Sequence, residues 1–237
     1  MKKITALLSL LALLLGSIGA VGASASMYGL SGLIETPDDT IAATNSLTLS
    51  ASYIRDFDDT NYNLATYGGA IGIIPNLEIG GVAIDSTAPG VGTQGLINAK
   101  FRILGESLER PSICVGVVDI TNRLEKIDSR IDKASAFIVF GKNISAAAEG
   151  LSGLVSKPVR GTFGFGTGLY QGFFAGVSVS ALPKFDVAVE YLSKGLRRQG
   201  TTNAMIRFRP VKAISVQVGA YAFKDFYVGG TFALSTY

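Results

Sequence analysis

The clearest signal along this chain is an alternation of period two. From Thr202 to Arg209, Ala204, Ile206 and Phe208 fall on one face, and Asn203, Met205, Arg207 and Arg209 on the other. Successive side chains of a strand point to opposite sides, so this run predicts a strand with one apolar and one mostly polar face. After Pro210-Val-Lys-Ala213 the pattern resumes, with Ile214, Val216, Val218, Ala220 and Ala222 against Ser215, Gln217, Gly219 and Tyr221. After Lys224-Asp225 it returns once more, with Phe226, Val228, Gly230, Phe232 and Leu234 against Tyr227, Gly229, Thr231, Ala233 and Ser235. Strands of roughly ten residues joined by short turns have the length that a tilted strand needs to cross bilayer hydrocarbon. Strands of soluble sheets are nearer five or six residues. A transmembrane barrel is therefore the first expectation and a soluble antiparallel sandwich the alternative.

The pattern extends back along the chain. Leu47, Leu49, Ala51 and Tyr53 alternate with Ser46, Thr48, Ser50 and Ser52. Further strands are predicted over 62–74, 77–84, 96–104, 112–120, 134–140, 161–167, 172–180 and 185–192, separated by polar, glycine-rich or proline-containing stretches. The fold class this predicts is all-β: a single transmembrane antiparallel up-and-down barrel of about 12 strands, an even number as in bacterial single-chain barrels. With both termini periplasmic, the turns at Pro75-Asn76, Leu182-Pro183 and Pro210-Val211 fall inside. The loops at 55–61, 85–95, 121–133 and 193–200 fall outside. Residues 143–158 are the least strand-like internal stretch, and their Ala and Leu spacing reads as a short helix or a plug-like insert. Residues 121–133 carry the densest charge and read as an exposed loop; Leu124, Ile127 and Ile131 at helical spacing leave a partner-binding helix as the alternative.

At the start, Met1-Lys2-Lys3, an apolar run from Ile4 to Leu15 and the small-x-small triplet Ala23-Ser24-Ala25 read as a cleaved secretory signal over 1–25, leaving 26–237 as the barrel domain. No later apolar run reaches the roughly 18 residues of a spanning helix. Export of a chain that then alternates in this way predicts the outer membrane of a diderm bacterium.

Composition narrows the chemistry. Lys and Arg number 21 against 18 Asp and Glu, a net charge of +3 with no clustered run, so nucleic acid is not an expected partner. Several of the 29 glycines lie inside predicted strands, among them Gly68, Gly69, Gly72, Gly164, Gly166 and Gly176, where they permit curvature of a barrel wall. With no histidine at all, Ser-His and Asp-His catalysis is unavailable, and no enzymatic role is expected. Gly164-Phe-Gly-Thr-Gly168 lacks the spacing and the strand-to-helix context of a nucleotide loop. The single cysteine, Cys114, reads as a small buried residue. No cofactor or metal is expected.

The segment Gly29-Leu30-Ser31-Gly32-Leu33-Ile34-Glu35-Thr36-Pro37, followed by a strand, resembles the start of the YjbH-like outer-membrane barrel proteins. Further stretches are similar to that family: 97–102, 111–117, 164–170, 174–177 and Arg207-Phe-Arg-Pro210. The resemblance spans nearly all of the chain after residue 25, its first motif being the most specific. It implies an outer-membrane barrel linked to exopolysaccharide production or export.

The alternation places Glu78, Lys100, Arg102, Asp186, Glu190, Arg207 and Arg209 on the side away from lipid. Two readings stand open: cross-strand ion pairs that hold a filled interior, or a lumen with surplus basic groups at its periplasmic end and a bias toward anionic solutes. Tyr62, Tyr67, Tyr170, Tyr191, Phe173 and Phe226 lie near strand ends, where aromatic girdles would sit. Three roles compete: an accessory component of exopolysaccharide secretion, a narrow porin-like channel with slight anion preference, and a structural or surface-interaction barrel. The partners expected are outer-membrane lipid and, from the resemblance, an acidic polysaccharide and other secretion components.

Overall fold

The computed structural model describes residues 24–57, 61–145 and 158–235. Twelve strands follow in order: β1 (Ser46–Phe57), β2 (Tyr62–Ile74), β3 (Leu77–Ser86), β4 (Gly92–Leu104), β5 (Ser112–Val118), β6 (Ser135–Asn143), β7 (Val159–Gly166), β8 (Gly172–Leu182), β9 (Phe185–Leu192), β10 (Thr201–Val211), β11 (Ile214–Tyr221) and β12 (Asp225–Ser235). Each pairs antiparallel with its sequence neighbours, and β1 pairs with β12, from Ser46 opposite Ser235 to Ile54 opposite Tyr227. The barrel is closed, so no sheet edge is left with unpaired backbone groups, as a wall in hydrocarbon requires. One closed up-and-down barrel replaces the sandwich alternative.

The outer surface is apolar. Leu49, Ile97, Phe163, Val189, Ile206 and Val218 are each between 42% and 52% exposed, which in water would leave a broad hydrophobic belt and in a bilayer is the lipid contact. At one end Pro75-Asn76, Pro183-Lys184 and Lys212-Ala213 make two-residue turns; this is the turn end. Proline has no N–H for the ladder, so Pro75 and Pro183 mark the ends of β2 and β8. Pro210 does not stop its strand as the pattern predicts. β10 runs on to Val211, with an irregularity in register between Phe208 and Val211 that accommodates the missing donor. The opposite end, the loop end, carries most of the longer connections. The stretch 143–158 joins β6 to β7 at the turn end; most of it, 146–157, lies outside the described residues, as do residues 1–23 of the predicted signal segment.

The aromatic expectation holds in part. Tyr62, Phe173, Tyr191 and Phe226 are exposed on the outside near the loop end, with Phe173 and Tyr191 rings 5.4 Å apart, whereas Tyr67 is exposed at the middle of β2, opposite Ala51. Phe101, Phe185 and Phe208 sit outward toward the turn end, the last two stacked at 4.7 Å. Tyr170 is not part of a girdle. It follows a 3-10 turn over Gly168–Tyr170 that carries its ring into the lumen, where it is 1% exposed and packs edge-on against Phe137. The loop between β5 and β6 likewise departs from the expected exposed segment or partner helix. Only Leu124–Lys126 is helical, and Leu124 and Ile131 are fully buried at the mouth of the barrel. The Asp119 carboxylate, accepting from the Arg123 and Leu124 N–H groups at 2.8 and 2.6 Å, holds that turn inward.

Ile206 lies at the middle of β10, opposite Val187 and Val218 on the outer face. Replacing it with arginine puts a charge in mid-bilayer, at a cost of about 2–4 kcal/mol. Reversible urea unfolding from phospholipid vesicles should show that loss for Ile206→Arg, and a loss of under about 1 kcal/mol for Val211→Arg at the strand end, where depth no longer penalises the charge.

Candidate functional site

The lumen is occupied by the chain's own residues 24–45. The segment passes the turn end near Ser24, where Ser24 borders a small space with Lys212 and Ala213. It rises to an aromatic contact between Tyr28 and Tyr170 and a carboxylate at Glu35, then returns to enter β1 beside Gly72, whose carbonyl accepts from the Asn45 N–H at 2.8 Å. Short bridges between Ala25 and Ser31 and between Gly32 and Pro37 shape the turn back. Gly29 adopts a positive φ of 79°, and a Cβ there would meet the Gly81 carbonyl at 3.0 Å, so the segment lies close against the β2–β3 wall. On the wall Gly80, Gly141 and Gly176 leave the space taken by Leu30, the Asp39 carboxylate and Leu33, and in the loop between β9 and β10 Gly195 leaves that of the Glu35 carboxylate.

Backbone N–H groups inside a protein must find partners, and here wall carboxylates supply them. Glu78 of β3 accepts from the Ser31 N–H (2.6 Å), the Ser31 hydroxyl (2.5 Å) and the Ala42 N–H (2.6 Å). Glu190 of β9 accepts from the Glu35 N–H (2.8 Å), from the Thr36 N–H (3.0 Å) and hydroxyl (2.7 Å), and from the Asn203 side-chain amide (2.7 Å). Asn98 donates to the Tyr28 carbonyl at 2.6 Å. Lys100, fully buried opposite Glu78 in the register, donates to the Ser31 carbonyl at 2.7 Å and lies 3.8 Å from both Glu78 and Asp38. Asp39 receives Arg160 of β7 through two guanidinium N–H groups, while its backbone carbonyl accepts from Cys114 Sγ at 3.2 Å and Arg102 at 3.4 Å. Charge-assisted bonds of this kind are the stronger class.

All seven residues placed by alternation on the inner side are therefore found there, in two groups. Glu78, Lys100, Arg102 and Glu190 hold the segment. Asp186, Arg207 and Arg209 lie below it toward the turn end, with Asp186 opposite Arg207 in the register, 4.0 Å apart, and in direct contact with Arg209. The inner wall is not small or polar throughout. Ile54, Leu64, Ile84, Leu96, Val118 and Leu192 point inward near the loop end and form an apolar core with Leu33, Ile34, Phe137 and Phe174. The lumen is thus divided into a half at the loop end that is mainly apolar, holding Glu35 and the buried Arg197–Asp225 pair beside its core, and a charged half at the turn end. Sequence reasoning missed Asp38, Asp39 and Arg160 as members of the charged half, because residues 24–45 carry no periodic pattern that would fix where they lie.

Near the loop end Glu35 is fully buried. Its carboxylate accepts from Tyr28 and Tyr221 hydroxyls at 3.0 Å each and from the Leu196 N–H at 2.6 Å. Burial pushes its pKa up to about 7, and the nearby Glu190 charge adds to the rise, against the opposing effect of the Leu196 N–H and the two tyrosine hydroxyls.

A closed antiparallel barrel with a lipid-facing exterior and a lumen filled from within is the class of protein this geometry defines. No protein-family model matches the chain, and no curated protein matches it in sequence. Among solved structures, a KdgM porin is similar over 81% of this chain and 99% of its own, at 11% identity and a TM-score of 0.49. A KdgM porin in complex with disordered oligogalacturonate is similar over the same shares at 12% identity and a TM-score of 0.45. An outer membrane channel from Pseudomonas putida F1 is similar over 85% of this chain and 99% of its own, at 10% identity and a TM-score of 0.40.

Two measurements check the site. Glu78→Ala leaves Lys100 with Asp38 as its remaining counter-charge and strips three donors of Ser31 and Ala42 of their acceptor; breaking a buried charged contact of this kind costs about 3–5 kcal/mol, and equilibrium unfolding in detergent should show a loss of that order. For Glu35 the folded-state pKa is raised, so its contribution to stability is fully present below about 4.5 and is lost as pH rises through about 7. The unfolding midpoint should fall between pH 5 and pH 8, and Glu35→Gln should flatten that dependence.

Proposed function

We propose that this chain is a non-enzymatic outer-membrane barrel, closed at rest by its N-terminal segment, that serves exopolysaccharide production or export. Passage of an acidic glycan through it would require residues 24–45 to leave the lumen. The observation that carries the closed state is the anchoring of that segment by Glu78 and Glu190, which together accept six hydrogen bonds from Ser31, Glu35, Thr36 and Ala42. The exopolysaccharide role is supported by the YjbH-like motif from Gly29 to Pro37, because the most family-specific residues of the chain are also those folded into the lumen. The absence of histidine and an inner face given over to holding the segment favour a non-catalytic role. Orientation follows the usual arrangement, with the turn end periplasmic and the loop end outside.

The experiment pairs a cell assay with a bilayer assay. Deleting the gene should abolish export of an acidic glycan, and reintroducing it should restore export; unchanged glycan after deletion would overturn the export role. In planar bilayers the refolded wild-type protein should insert without steady conductance, and Glu78→Gln/Glu190→Gln, which weakens the anchors, should open intermittently. Steady conductance of the wild-type protein would overturn the closed state.

A further inference from the structure

Below the anchored segment, toward the turn end, lies a cavity of about 260 Å³ bordered by Arg160, Asp186, Arg207 and Arg209 of the wall and by Asp38 of the segment. A groove of about 590 Å³ shares Asp186 and Arg209 with it and runs between the two turns that carry Lys184 and Lys212. Most charges here are already engaged. Arg160 is taken by Asp39 and Glu106, and Asp38 accepts from the Thr40 N–H at 2.9 Å and the Thr40 hydroxyl at 2.5 Å. Asp186 is held by Arg209 and accepts from the Ser180 hydroxyl at 2.9 Å.

Arg207 is the most weakly engaged of them. It is 7% exposed, yet its Nε has no hydrogen-bond partner; one terminal nitrogen makes a long ion pair with Asp186 at 4.0 Å and the other donates to the Met205 sulfur at 3.9 Å. A guanidinium presents five donors in a planar fork, and burying such a group unsatisfied is costly. At the mouth, Lys184 and Lys212 make no ion pair among the described residues. A buried fork with an unused donor, approached through a groove with two lysines that make no ion pair among the described residues, is arranged to receive an anion.

We infer that this cavity binds the carboxylate of an acidic sugar, with the Arg207 guanidinium as the principal contact and Arg209 and Lys212 guiding the chain at the mouth. The inference rests on the export reading above and names the place where the glycan is first held. The fork matches the two oxygens of a carboxylate, and the groove's Pro158, Pro183, Pro210 and Val211 offer aliphatic surface to the C–H face of a sugar ring. A phosphate, whether free or on a lipid headgroup, shares the anionic chemistry and is separated from the sugar by the test.

The test uses the full protein in detergent micelles. Isothermal titration with a tetrauronate should show saturable binding at least tenfold tighter than with neutral maltotetraose. Arg207→Gln should weaken it at least tenfold, Arg209→Gln/Lys212→Gln severalfold, and Arg130→Gln in the loop between β5 and β6 not at all. Compact, heat-modifiable migration on a gel identifies folded variants; if Arg207→Gln does not fold, the mouth double variant carries the test. Equal binding of maltotetraose, unchanged binding in every folded variant of the site, or binding of inorganic phosphate or phosphatidate with none of the uronate would overturn the proposal. Uronate binding with normal glycan export after gene deletion keeps the site and removes the export role, and the reverse pairing keeps the role and removes the site.

Discussion

An irregular stretch of backbone inside a barrel must have its N–H and C=O groups satisfied by the wall, and the wall here is built to that requirement. Within residues 24–45 the N–H groups of Ser26, Met27, Gly29, Gly32, Leu33 and Asp38 find carbonyls of the segment itself, and those of Ser31, Glu35, Thr36 and Ala42 turn to the wall. Two buried carboxylates, Glu78 and Glu190, stand where the segment's amides point, and Lys100 and Asn98 take its carbonyls at Ser31 and Tyr28. A carboxylate accepting several N–H and O–H bonds at once is well placed to remain buried without an equal count of cations. Remove this constraint and the remaining features lose their sense: the glycines of the wall, the inward Arg160 fork and the Tyr170 turn all answer to the presence of the segment.

The division of the lumen follows from the same arrangement. At the loop end Tyr28, Leu33 and Ile34 complete an apolar core with inward residues of the strands and with Leu124 and Ile131 from a loop that folds over the mouth. At the turn end the segment enters and leaves the barrel, and a cluster of charged groups lies there: Asp38, Asp39, Arg160, Asp186, Arg207 and Arg209. Of the two readings of the inner charges, cross-strand pairing is seen at Glu78–Lys100 and at Asp186–Arg207. Glu78 and Lys100 are structural anchors, whereas Arg207 is left with a donor to spare.

The strands were legible because a pleat imposes a period of two and lipid imposes an unbroken apolar outer face; runs such as Ala204-Ile206-Phe208 or Val187-Val189-Tyr191 admit little else. The inner positions of Glu78, Lys100, Asp186 and Arg207 followed from that parity, and the register across the loops between β3 and β4 and between β9 and β10 pairs Glu78 with Lys100 and Asp186 with Arg207. The occupant of the lumen was not legible. Residues 24–45 have no repeat, and their partners lie 36 to 186 positions away, at Glu78, Glu190 and Tyr221, a distance that local pattern does not encode. The plug-like reading was placed on 143–158, most of which lies outside the described residues. Tyr170 was misplaced because a position near a strand end says nothing of a 3-10 turn that carries the ring inward, and the inward apolar residues near the loop end were hidden by assuming that a non-lipid face is polar.

The N-terminal segment sits in the lumen, held through its amides to Glu78 and Glu190. Hydrogen exchange of those amides in the folded protein tests this placement most directly. The Ser31, Glu35, Thr36 and Ala42 N–H groups should exchange as slowly as those of the barrel strands, because each donates to a buried carboxylate. Exchange of these four within seconds, as in a solvated loop, while the strands stay protected, would place the segment outside the barrel and contradict the account.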